Sequence, residues 1–205
     1  LNSNIIIARQ NNENTMNLIK KTIKKNKSNK IYFDKEYCFK KNENNSFYFK
    51  DKKGSLELPK PNVLGQFQLE NISTAIATLR LLNLDIKDNH IKNGIQKINN
   101  LGRLQLIKSG KLKNLAKGNS ILISGDHNED GARVLNEYLG SLNCNKHLII
   151  GMMANKDHEK YISYFKNISS ITTVDIPNQP NSISGKKLKD KFKNFSNVNY
   201  KESIE

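Results

Sequence analysis

The stretch Ile121-Leu-Ile-Ser-Gly-Asp-His-Asn-Glu-Asp-Gly-Ala-Arg-Val-Leu135 constrains the fold more than any other. Aliphatic residues lead into Ser124 and Gly125, a polar knot fills positions 126–130, and from Ala132 apolar residues recur every three to four positions. That order reads as strand, turn, helix. In an open α/β sheet, ligands collect at the carboxyl end of a strand, because the first amides of the next helix lack partners and attract anions. A nucleotide is the ligand to look for at this turn.

The flanking sequence is organised in the same way. Ile5-Ile-Ile-Ala8 reads as a strand, and residues 12–25 as a helix carrying Met16, Ile19 and Ile23 on one side. Ile31-Tyr-Phe33, Cys38-Phe39, Phe47-Tyr-Phe49 and the Leu56/Leu58 alternation read as antiparallel strands or hairpins. Pro59-Lys-Pro61 ends them. A helix with Leu69, Ile72, Ile76 and Leu79 on one face follows, then a second from an N-cap at about Asp88 with Ile91, Ile95 and Ile98. Asn99-Asn-Leu-Gly102 breaks it and marks a domain boundary, with 1–100 on one side and 101–205 on the other.

Beyond the boundary, residues 104–107 and 112–115 read as strands around a Ser109-Gly110 turn. Then come the opening strand and its helix, a strand at 148–151, a helix with Tyr161, Ile162 and Phe165, a strand at 171–174, a helix over 184–195 and a strand from Val198. Strands alternating with helices imply an α/β fold with a parallel sheet.

Composition narrows the partners. The formal charge of +15 suggests an anionic ligand, but Lys is spread through an Asn-rich chain rather than clustered, which argues against nucleic acid. Cys38 and Cys144 stand far apart with no zinc-site spacing, as expected of a reduced, cytoplasmic setting. No apolar run approaches the roughly 18 residues of a membrane span, so no membrane partner is expected. The chain opens on Leu1 without a signal pattern, and an upstream segment is expected.

Four constellations can carry chemistry. Leu64-Gly65-Gln-Phe-Gln68-Leu-Glu-Asn71 places a glycine at a helix start and an amide, suited to an adenine edge, one turn in. Gly102-Arg103-Leu-Gln105 offers a guanidinium fork to phosphate oxygens. In the opening turn His127 can bond to or stack on a nucleotide, while Asp126, Glu129 and Asp130 also suit a helix dipole. Gly151-Met-Met-Ala-Asn-Lys156-Asp157 follows a strand, with Lys156 able to meet a carboxylate or phosphate and Asp157 able to cap the next helix.

In this order and spacing the four motifs resemble the folylpolyglutamate synthase and dihydrofolate synthase family of the Mur ligase superfamily. The resemblance runs from the later part of a central ATP-binding domain, here 1–100, into a Rossmann-like glutamate-ligase carboxyl-terminal domain, here 101–205 and truncated. It implies a monomeric, ATP- and Mg2+-dependent ligase of folate biosynthesis and one-carbon metabolism. Such an enzyme adds L-glutamate to dihydropteroate or folate through an acyl phosphate. It further implies that Asn71 contacts adenine, Arg103 the phosphates and His127 the nucleotide from the second domain. Gly65 and Gln68 would shape the helix start, and Lys156 and Asp157 would lie near the acyl phosphate and amino acid as catalytic candidates.

This sequence departs from the family pattern in three motifs, and in the turn the usual Asp-Gly-Ala-His-Asn-Pro reads Ser124-Gly-Asp126-His127-Asn128-Glu129. Phe67 replaces a His, Leu101 a Pro, and Ser124 an acid near the ribose. Asp126, two residues on, is expected to point elsewhere in an extended chain or turn. No Gly-x-x-x-x-Gly-Lys-Ser/Thr occurs in the 205 residues. The family's P-loop and metal-binding residues precede the region that matches, so no metal ligand is expected in this chain and the isolated chain is expected to be inactive. The alternatives are another Mur-superfamily amino-acid ligase, or a non-catalytic nucleotide- or nucleic-acid-binding module, which steep salt dependence of nucleic-acid binding would reveal.

Overall fold

A computed structural model describes residues 4–26, 28–82 and 84–204. The chain divides into two compact units, Leu1–Leu101 and Gly102–Glu205.

Unit 1 opens as a strand-helix-strand: β1 (Asn4–Ile7), α1 (Glu13–Asn26) and β2 (Asn29–Tyr32), with β1 and β2 parallel. The Ile31 segment is therefore not a hairpin strand. A 14-residue helix separates it from β1, a connection long enough for a parallel crossover. β3 (Tyr37–Lys41), β4 (Phe47–Asp51) and β5 (Gly54–Leu58) form the expected antiparallel meander. Alternation sets its register: Phe47 faces Leu58 and Phe49 faces Leu56, all four buried. α2 (Gln66–Leu81) and α3 (Asp88–Gln96) cover that face with Leu69, Ile72, Ile76, Ile91 and Ile95. Asp88 is not the cap of α3. It lies inside the first turn and reaches Arg80 at 3.7 Å, while His90 Nδ1 accepts from the Lys87 amide.

Unit 2 begins with β6 (Gln105–Leu106), α4 (Lys111–Leu115) and β7 (Leu122–Ile123). The second expected strand here is helical. Leu112 and Leu115 sit three apart, a helical spacing, and both stay exposed, so no sheet face selects an extended chain. β6 pairs instead with β7, antiparallel. α5 (Glu129–Gly140) follows, then β8 (His147–Ile150), α6 (His158–Ser163), β9 (Ser170–Val174), α7 (Gly185–Lys189) and β10 (Val198–Lys201). The last three strands form a parallel sheet in the order β10-β9-β8. α7 is shorter than its apolar pattern suggests, because after Lys189 the chain continues in turns closed by bonds such as Phe192 N to Lys189 O. Ile171, Leu188, Phe192 and Ala132 anchor this core.

Candidate functional site

Two turns of unit 2 meet where the sequence points. In the first, Gly102 and Leu104 both take positive φ, 68° and 49°. A left-handed leucine costs on the order of 1–2 kcal/mol, offset here because its side chain is 2% exposed. Gln105 Oε1 accepts from the Gly102 amide at 2.9 Å and closes the turn, which presents Arg103 to solvent. In the second, the Gly125 amide donates to Gly102 O at 2.7 Å and draws the end of β7 against the first turn.

Their side chains then converge. Arg103 Nη1 lies 3.5 Å from Asp126 Oδ1, and Ser124 Oγ donates to Asp126 Oδ2. This corrects the expectation that Asp126 points away from Ser124. Strand alternation does not reach it, since β7 stops at Ile123 and the chain turns at Gly125. The serine and the acid form one hydrogen-bonded pair. Asp126 is only 13% exposed and Arg103 is 54% exposed, so the carboxylate is fixed while the guanidinium can swing to another oxyanion.

His127 is exposed, with Nδ1 2.9 Å from Gly125 O. A carbonyl only accepts, so Nδ1 carries the proton and Nε2 is the ring atom left to face a ligand. Asn128 Oδ1 caps α5 by accepting from the Gly131 amide at 2.9 Å. Glu129 is engaged by α6: it accepts from Tyr164 OH at 2.7 Å and lies 3.7 Å from Lys160 Nζ. Asp130 pairs with Arg133 at 3.8 Å. Tyr161 of α6 is buried, and burial, reinforced by the charge of Asp126, pushes its phenol well above the ordinary range.

The loop after β8 is held by Ala154 N to Asn181 O at 2.9 Å, Ile183 N to Met152 O at 3.0 Å, and His158 Nε2–H to Met153 O at 3.0 Å. It carries Lys156, half-buried and without an ion pair among the described residues. Asp157 caps α6, its Oδ1 accepting from Lys160 N at 3.1 Å.

The unit 1 candidates gather at the start of α2. Gly65 is its N-cap with φ 92°, a conformation glycine adopts freely. Gln68 is 3% exposed and its Oε1 accepts from Asn100 Nδ2 at 3.3 Å, so it ties the chain after α3 to α2 rather than facing a ligand. Asn71 is exposed, its amide making no hydrogen bond among the described residues.

The residues underrated by sequence are Asp126, Gln105 and Gly131. An added Cβ at Gly131 would stand 2.8 Å from Asp126 Cβ, so the bare helical glycine makes room for the acid. A glycine in a helix's first turn, five residues after an acid, was the available signal. Among the described residues, no group of three or more His, Cys, Asp or Glu is placed to hold a metal ion.

Two units of mixed strands and helices, the second ending in the parallel sheet β10-β9-β8, define the class as an α/β protein. The particular fold is that of the folylpolyglutamate synthases. The Mycobacterium tuberculosis folylpolyglutamate synthase complexed with ADP and AMPPCP is similar at TM-score 0.83 and 14% identity, over 97% of this chain and 45% of that one. E. coli FolC in complex with DHPP and ADP is similar at TM-score 0.81 and 22% identity, over 99% of this chain and 46% of that one. A bifunctional folylpolyglutamate synthase/dihydrofolate synthase with Mn, AMPPNP and L-glutamate bound is similar at TM-score 0.79 and 19% identity, over 98% of this chain and 45% of that one. The chain thus spans a little under half the length of each. No protein-family model and no curated protein matches it.

Proposed function

We propose that this chain is part of an ATP-dependent ligase that joins L-glutamate to the carboxylate of dihydropteroate or folate, and that its share of the reaction is to hold nucleotide. The observation that carries the reading is the Arg103–Asp126–Ser124 cluster, a mobile cation beside a fixed, hydrogen-bonded acid at a strand end. The fold likeness to proteins crystallised with nucleotide, DHPP or L-glutamate supports it.

The donors of unit 2 suit a nucleotide: Arg103 offers a planar fork for phosphate oxygens and His127 Nε2 an acceptor for a ribose hydroxyl. In unit 1, taken by itself, Asn71 offers a donor and an acceptor of the kind an adenine edge takes. Lys156, half-buried and without an ion pair among the described residues, would neutralise a carboxylate or acyl phosphate, whereas Asp157 would act through the start of α6. Bound with its metal, ATP would supply the phosphoryl group that turns a poor electrophile into an acyl phosphate. In this reading residues 1–100 are the later part of a central ATP-binding domain, and 101–205 a Rossmann-like carboxyl-terminal domain.

Two measurements test it. The 205-residue chain should bind ATP in a way that Arg103→Ala abolishes, yet release no ADP on its own. The complete protein should release ADP only when both L-glutamate and dihydropteroate or folate are present. Turnover by the 205 residues alone would defeat the division of labour. Activity with a nucleotide-linked peptide but not with folate would move the assignment to another amino-acid ligase.

A further inference from the structure

We propose that unit 1 holds a separate anion site, for a small molecule carrying two or more phosphate or carboxylate groups on an apolar body. It lies in a cleft of about 680 Å³ among β2, β3, the β4–β5 hairpin and the end of α2. The site stands independently of the ligase reading.

Six of the thirteen lining residues are Lys or Arg, against 34 of 205 in the chain, so the general lysine bias does not account for the cleft. Its two acids are already engaged. Glu36 Oε2 accepts from the Tyr32 amide at 2.6 Å, and Asp51 accepts from Lys53 N at 2.8 Å and lies 3.0 Å from Arg80 Nε. Lys30, Lys50 and Lys52 are exposed and without an ion pair among the described residues, leaving three uncompensated charges around one volume. Arg80, 13% exposed, is itself paired with Asp51 at 3.0 Å and Asp88 at 3.7 Å, so the free charge of the cleft is that of the lysines. Ile31, Ala77 and Leu81 supply an apolar wall. Concave shape, apolar wall and converging cations are what a multiply charged small molecule needs.

Cys38 reports on occupancy. It lines the cleft and faces Lys50 directly across the β3–β4 pair, whereas the exposed Cys144 lies in unit 2. We would follow alkylation of both thiols by mass spectrometry in the 205-residue chain while titrating inorganic tripolyphosphate or a tetra-γ-glutamate peptide. At least one probe should slow Cys38 saturably and leave Cys144 unchanged. Protection by tripolyphosphate alone assigns phosphates, by the peptide alone carboxylates, and by both the shared chemistry. The double variant Lys50→Gln/Lys52→Gln should raise the half-protection concentration about fivefold, as expected for two partly screened charges. The same charge change on α1, Lys20→Gln/Lys24→Gln, should leave it in place. Failure of both probes to protect Cys38 at about 10 mM, far weaker than a specific site would bind, would overturn the proposal. So would equal weakening by the two double variants, because the attraction would then be the general charge of the chain.

Discussion

Asp126 packs against the bare Cα of Gly131: a side chain on that glycine would meet Asp126 Cβ at 2.8 Å, Asp126 Oδ1 at 2.9 Å and Asn128 Oδ1 at 3.1 Å. Gly131→Ala must therefore push both the acid and the helix cap. It should cost about 1–3 kcal/mol by overpacking and weaken nucleotide binding through displacement of Arg103. Gly94 in α3 has open space around it and no positive φ, so Gly94→Ala should instead gain about 0.5–1 kcal/mol. Urea denaturation of the two variants gives opposite shifts of the midpoint, and equal shifts would dismiss the packing argument.

Ser124 and Asp126 share one hydrogen bond, so Ser124→Asp would set two carboxylates side by side. Like charges at that range cannot both ionise without cost. The variant should be less stable than the parent at pH 7 and recover towards it at pH 5, because acid relieves the repulsion between the two carboxylates. Asp126→Asn keeps the shape and leaves Ser124 Oγ a carbonyl oxygen to donate to, so the main loss is the ion pair to the exposed Arg103, and it should cost about 1 kcal/mol. Thermal unfolding at the two pH values separates these outcomes.

Much of the architecture was legible because apolar spacing reports burial directly. Phe47, Phe49, Leu56 and Leu58 alternate and are buried on one face, and Ile91 and Ile95 recur at helical spacing and are buried under α3. What was not legible depends on the surroundings rather than on spacing. Leu112 and Leu115 fit either a strand or a helix, and only the lack of a pairing partner decides. Ile31 looked like a hairpin strand because its parallel neighbour, β1, lies beyond α1. At the site, Arg103 and Asp126 are 23 residues apart, and their meeting rests on one backbone bond, Gly125 to Gly102, that no motif announces. Gln68 read as a ligand-side residue but is buried against Asn100, since an amide serves a ligand or a loop equally well.

Lys156 and Asp157 are neighbours with separable roles. Asp157 accepts the Lys160 amide as the cap of α6. Asp157→Ala should therefore lower stability by about 0.5–2 kcal/mol. Lys156 has no ion pair among the described residues, so Lys156→Met should leave the unfolding midpoint within about 0.5 kcal/mol of the parent. On the proposed ligase function, the same lysine variant of the complete protein should lose turnover. A stable, fully active Lys156→Met would remove it from the reaction.

Asp175 and Tyr200 should contribute to the pH dependence of unit 2 at both extremes. The Gly185 amide donates to Asp175 Oδ1 at 2.6 Å and Tyr200 OH to Oδ2 at 2.7 Å. These bonds hold the carboxyl below its ordinary 3.8, with the Gly185 amide the larger cause. Donation to the carboxylate in turn pushes the Tyr200 phenol from 10.0 up to about 12. A lowered acid contributes stability above its unfolded pKa and loses it as pH falls through the folded value, so the acid limb should lie below about pH 4. A raised phenol contributes below its unfolded pKa and loses that contribution as pH rises, here between about pH 10 and 12. Asp175→Asn should flatten the acid limb and Tyr200→Phe should reduce the alkaline one, whose remainder falls to the buried Tyr161, each read as the pH dependence of the urea midpoint. Parent-like limbs in both variants would show that the pair does not govern the stability of this unit.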